Sequence, residues 1–276
     1  MEQRAVYFLS DAHFHKKRTP HERRKRHLFT KFVGGLHDAS HLYLLGDLFD
    51  FWFDYRSVIP RYYMDVLHAL QGLAERGTRI VLQGGNHDYW LRSFFEEELG
   101  FAVVESPVLV EHQGRKILLH HGDGLQPGDL GYRILKAVIR SRPFIRTVKL
   151  LHPDLVNAFA FRFSGTSRRV QQRPLDETVA AMVELAFERF LSRGNDAFLM
   201  GHVHYPLHRR RDGRDFVIVG DWEEHFSYVR LHEGRITLEA LEEGAGIPEP
   251  PAGKAGSRVR GRGRARSGGS HPGRSR

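Results

Sequence analysis

Five short segments of this chain gather Asp, Asn and His at spacings that can hold divalent cations. They are Ser10-Asp11-Ala12-His13, Gly46-Asp47-Leu48-Phe49-Asp50, Gly85-Asn86-His87-Asp88, His120-His121-Gly122-Asp123 and Gly201-His202-Val203-His204. Imidazole together with carboxylate suits first-row divalent metals such as Mn, Fe, Zn or Co, and suits Mg less well. A single segment reads equally well as a turn, because Gly, Asp and Asn are turn formers. Five of them in one chain point to a metal centre. Two cations ~3.5–4 Å apart that share a carboxylate clamp the attacking and leaving oxygens of a phosphoryl transfer. The chain has no cysteine, so thiolate metal sites, disulfides and cysteine nucleophiles are excluded.

Each segment follows a short apolar run that reads as a buried strand: Ala5–Leu9, Leu42–Leu45, Arg79–Leu82, Lys116–Leu119 and Ala197–Met200. Between the runs apolar residues recur at helical spacing, as Leu28, Phe29, Phe32, Val33 and Leu36, as Val66, Leu67, Leu70 and Leu73, and from Val179 to Phe190. Strand–loop–helix alternation predicts an α/β fold that carries its ligands at the carboxyl ends of the strands. After Met200 the pattern turns all-β, with strands expected at Phe216–Val219, Ser227–Leu231 and Arg235–Leu241. Asp88 is expected to cap a helix starting near Tyr89.

Hydrophobic residues make up 41% and charged residues 27% of the 276, the balance of a globular protein. No apolar run is long enough for a transmembrane helix or the core of a secretory leader. The formal charge of +9 is unevenly placed. From Gly244 to Arg276 the chain holds eight Lys and Arg but one acid, Glu249, so the remainder is close to neutral. Residues 244–276, rich in Gly, Pro and Arg, are expected to be a disordered basic tail behind a domain of residues 1–243. Two more basic clusters, Lys16-Lys17-Arg18 and Arg23-Arg24-Lys25-Arg26, read either as attractors of phosphate or anionic lipid or as the solvated face of a helix.

The five blocks, in order from residue 11 to residue 204, resemble the motif set of the calcineurin-like metallophosphoesterases. The resemblance implies a two-sheet β-sandwich flanked by helices, and two divalent metal ions. By position, one ion would be held by Asp11, His13, Asp47 and His204. The second would be held by Asp47, Asn86, His121 and His202, with Asp47 bridging. His87 would sit at the leaving group as a proton donor or charge stabiliser. Asp50 would orient His87 or a ligand imidazole, its plainer alternative being a carboxylate at a helix N-terminus.

A helical, amphipathic and basic insertion of about residues 125–174 includes Tyr132–Arg140, Phe144–Leu151 and Asn157–Phe163. Such a cap, with Phe159 and Phe161 on its apolar side, suits a charged substrate with acyl chains. Gly46-Asp47-Leu48-Phe49-Asp50-Phe51-Trp52, the His-Gly-Asp block followed by Asp129, and Leu151-His152-Pro153-Asp154-Leu155 look like UDP-2,3-diacylglucosamine hydrolases of lipid A synthesis. That resemblance spans most of residues 4 to 242. It implies cleavage of a pyrophosphate to UMP and 2,3-diacylglucosamine 1-phosphate, usually with manganese, by an enzyme peripheral to the cytoplasmic face of the membrane. Substrate contacts would come from Asn86, His87, Asp129, Ser164, Arg168, Arg169 and His202. The best-known members of that family carry Arg after the ligand Asn, where this chain has His87, the ordinary residue of the superfamily. A nuclease drawing on the basic clusters and tail is the competing enzyme reading, and a non-catalytic scaffold the remaining one.

Overall fold

The computed structural model describes residues 4–125, 136–170, 176–242, 244 and 246–248, with the side chains of 162–170 and of 176 outside that description. The described residues form two sheets packed face to face. The first holds β1 (Ala5–Leu9), β2 (Ala39–Leu45), β3 (Arg79–Gln83), β4 (Ala102–Val104), β10 (Ser227–His232) and β11 (Arg235–Ala240), in the order β11-β10-β1-β2-β3-β4. The second holds β5 (Val108–His112), β6 (Arg115–His120), β7 (Ala197–Met200), β8 (Leu207–Arg211) and β9 (Arg214–Ile218), in the order β5-β6-β7-β9-β8. β1 to β4 run parallel, as do β6, β7 and β9. The remaining pairings are antiparallel edges.

Strand period two sorts the apolar residues between layers. Val6, Phe8, Tyr43, Leu45 and Val81 face Ile117, Leu119, Leu199 and Val217 across the sandwich. The alternate residues Ala5, Tyr7, Leu9, Leu42 and Leu44 pack under α1 (Pro20–Gly35) and α2 (Met64–Glu75). On the other outer face, Phe198, Met200, Phe216 and Ile218 pack under α5 (Asp176–Leu185) and Ala186. Burial on both faces is why these strands read as unbroken apolar runs. Thr19 caps α1 by accepting from the Glu22 amide at 3.1 Å, with Pro20 in the first turn.

Between β6 and β7 the chain inserts a helical layer, α3 (Arg142–Lys149) and α4 (Pro153–Val170), preceded by helical residues 136–139. It seats on the body through Val148 and Phe161, which pack with Phe51 and Phe53. Three strands go beyond the sequence expectation: β4, β5 and β8. The pattern Leu-His-Arg-Arg-Arg of β8 looks like a solvated loop, yet it pairs with β9 as an edge strand. The expected tail lies outside the described residues from 249 onward.

Candidate metal centre

All five polar segments meet at one end of the sandwich, because each leaves the carboxyl end of a parallel strand: β1, β2 and β3 from one sheet, β6 and β7 from the other. The loops are laced together by main-chain bonds. Asp11 N–H donates to the Gly46 carbonyl at 3.1 Å and His13 N–H to that of Asp47 at 2.9 Å. Gly201 N–H donates to the His121 carbonyl at 2.9 Å. The glycines beside Asp47, Asn86, His121 and His202 have a steric reason. A Cβ at Gly85 would collide with the Asp47 carboxylate, and one at Gly201 with Ser10 Oγ and the Asp11 carboxylate.

Backbone strain collects here. Asp11 (φ 55°), His13 (43°), Asp47 (53°), His202 (71°) and His204 (55°) all occupy the left-handed region. L-residues settle there only when their surroundings impose it, and such outliers cluster at functional sites. Three of the other four such residues, Gln113, Asp212 and Glu233, precede glycine in hairpin turns, where positive φ is ordinary.

The donors form two groups on either side of Asp47. In the first, His13 Nε2 and His204 Nε2 are 3.1 Å apart, and Asp11 Oδ1 lies 3.3 Å from His204 Nε2 and 3.8 Å from His13 Nε2. Asp11 Oδ1 is buried with no hydrogen-bond partner, although the other oxygen of that carboxylate accepts from the His202 amide at 2.8 Å. In the second, His121 Nε2 lies 3.1 Å from Asn86 Oδ1 and 3.4 Å from Asp47 Oδ2. Asp47 Oδ2 is also 3.7 Å from His13 Nε2, so one oxygen faces both groups. His202 comes together with Asp47 and His121 within a 4.8 Å set. Donors bound to one cation at ~2.1 Å would stand ~3.0–3.4 Å apart, close to these separations. The residues present therefore fit a metal pair.

Electrostatics agree. Burial alone would lower His121, but the Asp47 carboxylate overrides it and pushes the ring up to about 10. Burial likewise opposes protonation of His204, and Asp11 raises it to about 9. Burial dominates at His202, held down at about 4, and at His13, driven well below the ordinary imidazole value. Burial would raise Asp47, yet the charges of His121 and His87 pull it well below the usual carboxylate range. The pocket is thus an anionic one that collects positive charge. At His121, Nδ1 lies 2.8 Å from the Leu45 carbonyl, which can only accept. Nδ1 therefore carries a proton, which leaves Nε2, facing Asp47 and Asn86, as the nitrogen at which a metal ion would take the place of a proton.

His87 stands against this set, its amide donating to Asp47 Oδ1 at 2.9 Å and its ring packing edge-on to His13 at 4.8 Å. Its Nδ1 is 3.1 Å from the Asp50 carbonyl oxygen. Asp50 is buried and begins no helix. Asp88 differs from expectation too: the next helix starts at Ser93 rather than near Tyr89. The Asp88 carboxylate instead accepts from the amides of Gly85, Asp47 and Phe49 at 2.9, 3.1 and 3.1 Å, joining the second and third loops. Burial, with the Asp47 charge, raises it to about 6.

The cluster Arg23–Arg26 divides: Arg23 and Arg24 are exposed on α1, as the solvated-face reading expects, whereas the other two follow neither reading. Lys25 and Arg26 turn inward and are buried. Lys25 Nζ donates to the His13 carbonyl at 3.1 Å and pairs with Glu22 and Glu223 at 3.0 and 2.7 Å. Arg26 binds the His15 carbonyl at 2.9 Å and pairs with Glu22 and Asp65. These cations brace the first metal loop and are not part of a basic nucleic-acid stripe. Phe159 and Phe161 also part ways: Phe159 is 66% exposed, whereas Phe161 is buried against the body. Asp129 lies outside the described residues, and so do the side chains of Ser164, Arg168 and Arg169. Residues not foreseen include His15, beside Asp50, and Trp222, whose amide donates to the Asp11 carbonyl at 3.1 Å.

The helix-flanked two-sheet sandwich, with Asp, His and Asn gathered on either side of Asp47, accords with what the resemblance to the calcineurin-like metallophosphoesterases implies. No family model matches the chain. It is similar to the UDP-2,3-diacylglucosamine hydrolase of Porphyromonas gingivalis, at 29% identity over 264 residues, covering 86% of this chain and 98% of that one. The UDP-2,3-diacylglucosamine hydrolase of Nitrosococcus oceani is 29% identical over 249 residues, covering 84% and 97%. Among solved structures, an archaeal phosphodiesterase shares 13% identity over 86% of this chain and 99% of that one, with a TM-score of 0.45, too distant to bear on function.

Proposed function

We propose that this chain hydrolyses the pyrophosphate of UDP-2,3-diacylglucosamine to UMP and 2,3-diacylglucosamine 1-phosphate, a step of lipid A synthesis. The observation that carries the reading is the pair of donor groups sharing Asp47 Oδ2, in a chain similar to UDP-2,3-diacylglucosamine hydrolases over most of its length. Asp11, His13, Asp47 and His204 would hold one divalent ion, and Asp47, Asn86, His121 and His202 the other; the mixed nitrogen and oxygen donors suit Mn, Fe, Zn or Co, and the resemblance to UDP-2,3-diacylglucosamine hydrolases favours manganese among them. Ions so held supply Lewis-acid stabilisation of phosphoryl oxygens and acidify water.

The chain's own residues do the rest. The Leu45 carbonyl sets the His121 tautomer. Gly85 and Gly201 leave room for the carboxylates. With Nδ1–H directed to the Asp50 carbonyl, His87 would present Nε2 to the leaving oxygen as proton donor or charge stabiliser.

The proposed catalytic domain is residues 1–243, with the insertion of about 125–174 as its acyl-binding cap and 244–276 as a basic tail. Asp129, Ser164, Arg168 and Arg169 are its proposed sugar-phosphate contacts. Peripheral contact with an anionic inner membrane face is part of the proposal. Leu150, Leu155 and Phe159 are 86%, 67% and 66% exposed, and the exposed cations Arg142, Arg146 and Lys149 stand on the same helical layer. No helix among the described residues is long and apolar enough to cross a membrane.

Mass-spectrometric product analysis with manganese tests the reading, using UDP-2,3-diacylglucosamine beside a simple aryl phosphodiester. UMP and 2,3-diacylglucosamine 1-phosphate are expected, lost on chelation and restored better by manganese than by magnesium. Cleavage of the aryl diester alone would reject the lipid substrate, and full activity after exhaustive chelation would reject the metal mechanism.

A further inference from the structure

We infer that His15 is a positioning residue for His87, acting through Asp50, and that Phe161 of the helical insertion holds His15 in that role. This rests on the proposed hydrolase reading and adds to it a link between the seat of the insertion and the reacting end of the site.

Asp50 stands between two imidazoles. Its carboxylate Oδ2 is 3.4 Å from His15 Nε2, and its Oδ1 is 3.9 Å from His87 Nδ1, which lies 3.1 Å from the Asp50 carbonyl. The Asp50 side chain is wholly shielded from solvent. A buried carboxylate held by a partner on one oxygen cannot swing freely, and its main chain is then steadied for the bond that fixes the His87 ring.

His15 is itself clamped from two directions. On the main chain, its amide donates to Glu22 Oε1 at 2.9 Å and its carbonyl accepts from Arg26 Nη2 at 2.9 Å, both partners lying on α1. On the ring, Phe161 packs edge-on with centroids 5.2 Å apart, and Lys16 Nζ lies 4.3 Å over the Phe161 ring. Phe161 also meets the rings of Tyr62 and of Phe51, the residue next to Asp50. One helical turn back on α4, Asn157 Oδ1 accepts from the Tyr62 hydroxyl at 2.9 Å. The insertion therefore touches the Asp50 neighbourhood through both His15 and Phe51. Displacing α4 would remove the ring that confines His15.

The experiment compares the full chain with His15→Leu, His15→Gln, Phe161→Ala and Phe161→Leu. It measures kcat and KM on a small aryl phosphodiester with manganese, metal content, and the His87 Nδ1–H resonance of the zinc-loaded protein. His15→Leu is expected to lower kcat ~10–100-fold, the usual effect of losing an outer partner, with KM and two bound metals retained and the His87 resonance lost to exchange. His15→Gln, which keeps an N–H for the carboxylate, should recover most of the rate. Phe161→Ala should follow His15→Leu, and Phe161→Leu should lie close to the parent. An unchanged kcat and an equally protected resonance in His15→Leu would overturn the inference, as would a loss confined to metal content. If the parent chain cleaves no phosphoester, the hydrolase reading falls, and the His87 resonance by itself decides whether His15 positions that ring.

Discussion

Asp47 carries more of the site than any other residue. Its carboxylate faces both donor groups through one oxygen, its second oxygen accepts from the His87 amide, and its own backbone is held left-handed. Asp47→Ala is therefore expected to empty both metal positions and abolish hydrolysis, checked by metal analysis beside turnover. Two ions retained in that variant would contradict the shared-ligand geometry. His87 separates from this behaviour because its ring is tied to the Asp50 carbonyl. His87→Ala should keep both ions and lose ~10²–10⁴ in kcat, the usual worth of a positioned acid or base. Loss of an ion would reassign His87 as a ligand, a role its place beside His13 and Asp47 also permits.

Elements hold the strained loops in place, and α1 does so with buried charge. Lys25 is fully buried, and its ammonium reaches the His13 carbonyl, Glu22 and Glu223 together. Removing one member of a buried charge cluster strands the others, at a cost of roughly 3–5 kcal/mol. Lys25→Met should lower stability by about that amount in urea unfolding, and an unchanged midpoint would show that the cluster contributes nothing net. The edge hairpin β8–β9 offers a pH-dependent case. Burial would raise Asp215, but its bonds to His208 at 2.9 Å and Arg115 at 2.6 Å hold it below the ordinary carboxylate value. A depressed folded-state pKa stabilises above the unfolded value near ~4, and that stabilisation is lost as pH falls through the folded value. Asp215→Asn should accordingly flatten the acid limb of the stability profile below about pH 4, measured by thermal unfolding. An identical limb in the variant would remove Asp215 from the account.

At the scale of the whole molecule, two sheets bring loops far apart in sequence to one edge, and the helical insertion stands beside that edge. Its exposed Leu150, Leu155 and Phe159 leave apolar area in water next to cations, an arrangement that suits an anionic lipid surface. Leu150→Asp with Leu155→Asp should reduce co-sedimentation with vesicles containing anionic phospholipid, and added salt should weaken the binding of the parent chain. Equal sedimentation of parent and variant would remove these residues from membrane contact.

Local pattern marked the parallel strands β1, β2, β3, β6 and β7, the helices α1, α2 and α5 and the five polar segments, while the grouping of their residues into two ion sites came from the family resemblance. A strand buried on both faces must be an apolar run, and a ligand loop at its end must be polar. The three hairpins that turn on Gln113-Gly114, Asp212-Gly213 and Glu233-Gly234 use residue pairs that tolerate positive φ. The edge strand β8 stayed illegible because pairing, not composition, makes a strand of Leu-His-Arg-Arg-Arg. Only the tertiary structure decided the fate of charge. Lys25 meets Glu223 across 198 positions of sequence and Arg26 meets Asp65 across 39, so no local window separates a buried cation from a solvated one. The same holds for His15, Asp50 and Asp88. Their residue types were visible throughout, but a carboxylate acquires its role from the amides and imidazoles that folding brings to it.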